Sequence, residues 1–109
     1  MRVRMKAVCL AIGAALLFAP GATIGASDEH AKDRERMVRT IERHARDLPD
    51  LIGRRGLSRD VLDVMGRIER HRFVPRRHRA NAYADRPLPI GFGQTISQPF
   101  IVALMTHLL

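Results

Sequence analysis

The chain has 109 residues, enough for one small domain at most, and carries a formal net charge of +8. Apolar residues make up 46% of it, which argues against a disordered tail, a collagen-like repeat and a disulfide-stapled mini-protein. The single cysteine, Cys9, can form neither an internal disulfide nor a cysteine-based zinc site.

The first 26 residues have the pattern of a secretory signal peptide. Three basic residues precede an apolar run over 7–19, and Pro20-Gly21 and small residues then lead to Ala26. The run is shorter than the roughly 20 residues of a membrane span. We therefore expect a signal peptide over 1–26, cleavage after Ala26 and export to the periplasm, with no stable membrane span afterwards. The alternatives are an uncleaved N-terminal anchor, or a cytoplasmic location if the signal is not used.

A first amphipathic helix is predicted from Asp33. Its apolar residues recur at spacings of three and four, and it should stop before Pro49, because the residue before a proline disfavours helical angles. Leu51 and Ile52 are expected to add a turn before Gly53. The predicted buried stripe consists of Met37, Ile41, Ala45 and Leu48.

A second helix is predicted from Ser58 to the region of His71. The Ser58 side chain can cap free amides of the first turn, and Leu57 and Leu62 are placed to form a hydrophobic staple around it. The predicted buried face consists of Val61, Leu62, Met65 and Ile68.

The last third of the chain combines a loop and a third helix. A short helical turn is predicted over 76–82, and the proline- and glycine-rich segment 83–93 is predicted to be an ordered loop with a short strand at Leu88 to Ile90. Pro99 suits the first turn of the third helix. The predicted apolar stripe of that helix consists of Ile101, Leu104, Met105 and Leu108. The fold class is therefore mostly α, with three helices and a Pro/Gly-rich loop.

Neither the histidines nor the arginines form a specific binding pattern. The five histidines lack metal-ligand spacing, so we predict solvated surface histidines and no metal site. The arginines between Arg54 and Arg79 lack interleaved aromatic residues, so a solvated basic face is favoured over specific nucleic-acid binding. A small basic binder of nucleic acid or of anionic surfaces stays open as an alternative.

Ser97 stands where the loop meets the third helix. Free amides at a helix start favour an anion or a carboxylate, so Ser97 is either the helix cap or part of a carboxylate-binding site. No G-x-S-x-G motif surrounds it, so a hydrolase nucleophile is not indicated.

Several stretches in the second half of the chain carry a family resemblance. They are Arg55-Gly56-Leu57, Val61-Leu62-Asp63-Val64-Met65, Arg72-Phe73-Val74-Pro75, Ala82-Tyr83-Ala84-Asp85, Pro87-Leu88-Pro89-Ile90-Gly91 and Gly93-Gln94-Thr95-Ile96-Ser97-Gln98-Pro99-Phe100-Ile101-Val102-Ala103. In order and spacing, Arg55 to Leu109 closely resembles the protein-L-isoaspartate O-methyltransferases.

The resemblance implies a function and a site. Members of this family use S-adenosyl-L-methionine to methylate the carboxylate of isoaspartyl residues in damaged proteins, for repair. It implies that residues 27–109 are the N-terminal segment of an α/β Rossmann-like methyltransferase domain. Ser97 falls on the family's active-site serine, and Gln94, Thr95 and Ile96 fall on substrate-binding positions. Since a carboxylate is already ionised at neutral pH, we interpret Ser97 as a group that, with helix-end amides, orients it.

The chain departs from the family pattern at its end. The glycine-rich cofactor loop of the family follows the third helix, and no such loop occurs in residues 1–109. No cofactor-binding residue is therefore assigned, and we expect a truncated chain that is inactive alone, with a complementing C-terminal half as a candidate partner. The alternative is a non-catalytic remnant that binds isoaspartyl peptides.

Overall fold

The computed structural model describes residues 28–109, so the predicted signal peptide lies outside the described residues. The described part is mostly helical, as predicted. Its elements are α1 (Ala31–Arg46), α2 (Pro49–Ile52), α3 (Arg59–Arg67), two 3-10 helices (Arg70–Phe73 and Arg76–Asn81), β1 (Leu88–Gly91), β2 (Gln94–Ile96) and α4 (Pro99–His107). Helix α2 is the extra turn expected before Gly53, and the second 3-10 helix is the turn expected after residue 75.

Helix α1 is the central element of the core. Its stripe of Met37, Ile41 and Ala45 is 0–3% exposed and faces α3 and α4. Leu48 was expected on this stripe but is 39% exposed, because the helix has already ended at Arg46. The chain cannot continue the same helix into Pro49 without straining the residue before the proline.

The start of α3 confirms the predicted cap. The Ser58 hydroxyl accepts a hydrogen bond from the Val61 amide at 3.4 Å, and Leu57 and Leu62 are both buried beside it. Such a cap satisfies one of the amides that a helix start leaves unpaired.

The end of α3 differs from the prediction. The helix ends at Arg67, well before His71, because Ile68 leaves it with extended backbone angles (φ −66°, ψ 127°). Ile68 was expected in the core and is 46% exposed. The early exit turns the chain into the first 3-10 helix and carries Arg70 into the interior.

The loop after residue 83 folds into a β-hairpin. The strand predicted at Leu88 is β1, and it pairs antiparallel with β2, which the sequence did not predict. Leu88 lies opposite Ile96, and Pro89 lies opposite Thr95. Gly91 ends β1 with φ 105° and Gly93 lies in the turn with φ 69°, and such left-handed backbone angles favour glycine.

Helix α4 buries one side and exposes another apolar side. Pro99, Phe100, Ala103 and Leu104 are buried against the core. The predicted stripe is buried only at Leu104, since its other members, Ile101, Met105 and Leu108, are 41%, 61% and 51% exposed. No helix within residues 28–109 is long and apolar enough to cross a membrane.

Candidate functional site

The four residues predicted for the site lie together on β2 and directly after it. Gln94, Thr95 and Ile96 form the strand, and Ser97 follows it. Gln94, Thr95 and Ser97 are exposed, and Ile96 is half-buried. The hairpin therefore exposes polar side chains along β2, and Ser97 follows at the end nearest α4.

Ser97 is not the cap of α4, which corrects one of the two interpretations of this residue. Gln98 occupies the capping position, and its side chain forms no capping hydrogen bond. Instead, the Asp85 carboxylate accepts a hydrogen bond from the Phe100 amide at 2.9 Å. The Ser97 side chain is thus spared from capping and is exposed.

Asp85 ties three parts of the chain together. Its carboxylate lies 2.8 Å from His44 Nδ1 of α1 and accepts a hydrogen bond from Gln98 Nε2 at 2.9 Å, in addition to the Phe100 amide. The Asp85 side chain is only 8% exposed. An internal carboxylate therefore already holds the Phe100 amide, so this amide is not free to orient a substrate carboxylate.

Arg70 holds the Ser97 segment from the interior. This arginine is 5% exposed, and it donates hydrogen bonds to the carbonyl oxygens of Ala82 at 2.7 Å and Ser97 at 2.6 Å. Burial lowers the pKa of Arg70 from its ordinary value, and the nearby Asp85 carboxylate opposes that shift. The prediction that Arg70 belongs to a solvated basic face is wrong, because its guanidinium is a structural clamp.

The histidines are also more engaged than predicted. His71 Nδ1 lies 2.7 Å from the Tyr83 hydroxyl, and the rings of His71 and His30 are 4.2 Å apart between centroids. His107 Nδ1 accepts a hydrogen bond from the Ser58 amide at 3.1 Å. Desolvation, followed by the neighbouring His30, lowers the pKa of His71. These rings join elements of the fold, so the expectation of solvated histidines is wrong for them.

An apolar cavity of about 250 Å³ opens beside the site. Ile96 contributes one wall, so the cavity lies on the inner side of β2. Its lining is Met37, Met65, Ile68, Arg70, Phe73, Ile96 and Val102.

Within residues 28–109, no group of three or more histidine, cysteine or acidic side chains is arranged to hold a metal ion. The Gly91-Phe92-Gly93 segment is the hairpin turn and does not lead from a strand into a helix. It therefore does not fit the nucleotide-binding glycine turn, which joins a strand to a helix.

Comparison with known proteins places this segment in a family. Residues 43–109 match the family model described as Protein-L-isoaspartate(D-aspartate) O-methyltransferase (PCMT), and this match covers more than half of the chain. The chain belongs to this family. The match begins in the last turns of α1 and includes the Asp85 and Arg70 contacts as well as the Ser97 segment.

Individual PCMT proteins are similar over most of the chain. Protein-L-isoaspartate O-methyltransferase 2 of Syntrophobacter fumaroxidans is 52% identical over 95 residues, 86% of this chain and 38% of the relative. Protein-L-isoaspartate O-methyltransferase 1 of Cupriavidus necator is 46% identical over 98 residues, 90% of this chain and 38% of the relative. The chain therefore spans about 38% of the length of these two PCMT relatives.

Proposed function

We propose that this chain supplies the substrate-carboxylate segment of an S-adenosylmethionine-dependent protein-L-isoaspartate O-methyltransferase. The observation that carries the proposal is the exposed Ser97, which lies within the region matched by the family. The buried Arg70 holds its backbone carbonyl, and Asp85 already caps the start of the helix that follows. Isoaspartyl residues of damaged proteins or peptides are the proposed substrates.

The proposed chemistry needs positioning more than acid-base catalysis. An isoaspartyl carboxylate is ionised at neutral pH, so it is already a nucleophile. The Ser97 hydroxyl can donate a hydrogen bond to one carboxylate oxygen and leave the other free to react, while the fixed backbone reduces the freedom of that donor. Gln94 and Thr95 provide further exposed polar groups along the strand.

S-adenosylmethionine would supply the methyl group when bound. Residues 28–109 contain no glycine turn that fits it, so the proposal assigns its binding to a part of the domain outside these residues. In keeping with this, we propose that the exposed apolar side of α4 packs against that part, in a Rossmann-like fold. Two observations support this: the PCMT relatives are more than twice as long as the matched region, and helices apolar on all sides are usually buried.

A chimeric protein tests the function. Residues 28–109 would be joined to the remaining C-terminal part of the Syntrophobacter fumaroxidans relative, and transfer of labelled methyl groups to an isoaspartyl peptide measured. We expect transfer to the isoaspartyl peptide and not to its aspartyl isomer. S97A should lower kcat/KM about 10- to 100-fold, the effect of losing one hydrogen bond to a charged group.

Thr40→Ala is the matched control, because it removes a hydroxyl from α1 and leaves the hairpin unchanged. The function is contradicted if a folded chimera that binds S-adenosylmethionine methylates both isomers equally or neither of them. The role of Ser97 is contradicted if S97A behaves like the Thr40→Ala control.

We also propose that the protein is exported. The leader pattern over 1–26 supports this. A C-terminally tagged chain should appear in the periplasmic fraction without residues 1–26. The variant L16R/L17R, which interrupts the apolar run, should stay in the cytosol, and recovery of the unaltered chain there with Met1 intact would refute export.

A further inference from the structure

Helix α1 carries a straight row of positive charges on its outer side. Its members, here called the basic stripe, are Lys32, Arg36, Arg39, Arg43 and Arg46. They are spaced four, three, four and three residues apart, so they fall within about 80° of the helix circumference and extend about 21 Å along its axis. All five are exposed.

The opposite side of α1 is committed to the core. Met37, Ile41 and Ala45 lie about 180° from the basic stripe and are almost fully buried. The helix therefore has no free apolar face to insert into a bilayer or a groove. Any partner of the outer face has to be recognised by charge.

Nearby acids neutralise the basic stripe only in part. Arg36 pairs with Asp33 and Arg39 pairs with Glu35, and these are exposed pairs, which are weak and easily screened. The other three members, Lys32, Arg43 and Arg46, form no ion pair within residues 28–109. Most of the charge of the stripe is available to an external anion.

We propose that the basic stripe docks α1 on the surface of an anionic phospholipid bilayer. A straight, convex row of cations suits a broad anionic plane, and each basic residue near such a surface strengthens binding about fivefold. The apolar run over 7–19 ends only eleven residues before α1 begins, so during export, before cleavage after Ala26, the leader also brings the stripe to a membrane.

The observations favour a bilayer over nucleic acid. Single-stranded nucleic acids are bound by aromatic stacking together with charge, and α1 carries no Phe, Tyr or Trp. A bilayer contact made by charge alone is peripheral, and salt should reverse it.

Vesicle flotation with the full chain tests the proposal. Vesicles of phosphatidylglycerol and of phosphatidylcholine would be compared at low salt and at about 0.5 M salt, where the Debye length is only a few ångströms. We expect binding to phosphatidylglycerol at low salt, loss of that binding at high salt, and much weaker binding to phosphatidylcholine. The variant R36Q/R39Q/R43Q should bind phosphatidylglycerol roughly a hundredfold more weakly, at about fivefold per residue.

A matched variant separates the basic stripe from net charge. R54Q/R55Q/R76Q removes the same number of charges from exposed positions outside α1. Its affinity for phosphatidylglycerol should fall by less than about tenfold. Circular dichroism of both variants checks that the helices are intact, and the single variant R43Q, with an expected loss of about fivefold, replaces the triple one if that does not fold.

Three results would overturn the proposal. Equal binding to both lipids would assign the contact to the apolar run over 7–19. Equal losses in the two triple variants would assign it to net charge alone. In a competition experiment, duplex DNA could displace the protein from phosphatidylglycerol vesicles at a lower concentration than free phosphatidylglycerol vesicles do. That result would make the stripe a nucleic-acid surface.

Discussion

Arg70 and Asp85 fix the backbone around Ser97 while leaving its hydroxyl exposed. Arg70 reaches carbonyl oxygens 12 and 27 residues away, and Asp85 reaches residues 13, 15 and 41 positions away. The sequence alone could point to Gln94 through Ser97, because those residues stand in one motif. It could not point to Arg70 and Asp85, since no local pattern indicates partners so distant along the chain.

Replacing Arg70 by methionine should destabilise the protein strongly. Methionine fills a similar space but leaves the Ala82 and Ser97 carbonyl oxygens without their donor, so we expect the free energy of unfolding to fall by about 2–4 kcal/mol. Urea denaturation measures this. Arg76→Met, at an exposed position, should stay within about 0.5 kcal/mol of the wild type, and a similarly small effect at Arg70 would refute the clamp.

His71 should make stability depend on pH in the acidic range. Because its pKa in the folded state is lowered, the unfolded state binds more protons, and the contribution to stability is complete above the unfolded value of about 6.5 and is lost as the pH falls through the folded pKa. NMR titration of the ring protons gives the pKa directly. H30A should raise the pKa of His71, since it removes a nearby ring that desolvates and repels the charged form.

The His44→Ala variant is the control for that titration, because His44 lies against Asp85 and not against His71. A His71 pKa that H30A leaves unchanged would show that the stacked pair does not set it. The charges of three other residues also shift the pKa of His71: Glu69 raises it, and Arg79 and Arg34 lower it. All three residues stay in place in both variants, so their effects on this pKa should be the same as in the wild type.

At the scale of elements, local sequence signals predict where a helix begins better than where it ends. The Ser58 cap and its leucine staple are contained within a few residues, so the sequence indicates where α3 begins. The end of α3 at Arg67 depends on Arg70 entering the interior, which is a tertiary contact. Strand β2 was missed for a related reason, since a three-residue strand has too little pattern of its own and exists through its pairing with β1.

Glycines in a helix and in a turn should respond oppositely to alanine. Gly66 lies inside α3, and an added Cβ would meet Val38 Cγ2 at an ordinary 3.7 Å, so G66A should stabilise the protein by about 0.5–1 kcal/mol. The Gly66 carbonyl would still accept its hydrogen bond from Arg34. G93A should destabilise it by about 1 kcal/mol, because Gly93 has φ 69°. Thermal unfolding of both variants measures these changes in stability. If both variants were stabilised or both destabilised, the prediction would be contradicted.

At the scale of the whole molecule, the outer side of α4 is an exposed apolar surface. Ile101 and Met105 are exposed in the described residues, although apolar side chains of this size usually gain by burial. The PCMT relatives are more than twice as long as the matched region, and the proposed Rossmann-like part would supply a contact for this side of α4.

The double variant I101K/M105K tests this contact. In the 109-residue chain it should change the free energy of unfolding by no more than about 0.5 kcal/mol, because both positions are already exposed. In the chimera described above it should lower the free energy of unfolding by about 3 kcal/mol or more, since two charges would enter an apolar interface. Chemical denaturation of both proteins makes the comparison, and equally small effects would show that this side stays open.

The position of Asp85 in the chain also determines the order in which its contacts can form during synthesis. A chain made from its N-terminus presents His44 before Asp85, while Gln98 and Phe100 emerge 13 and 15 residues after it. Asp85 can thus be docked on α1 before its remaining partners exist, and α4 then closes on an acceptor that is already in place. We expect a nascent chain whose first 97 residues have left the ribosome to protect the amides of α1 from hydrogen exchange. The Asp85 contacts beside Ser97 are therefore completed only when Phe100 has been made.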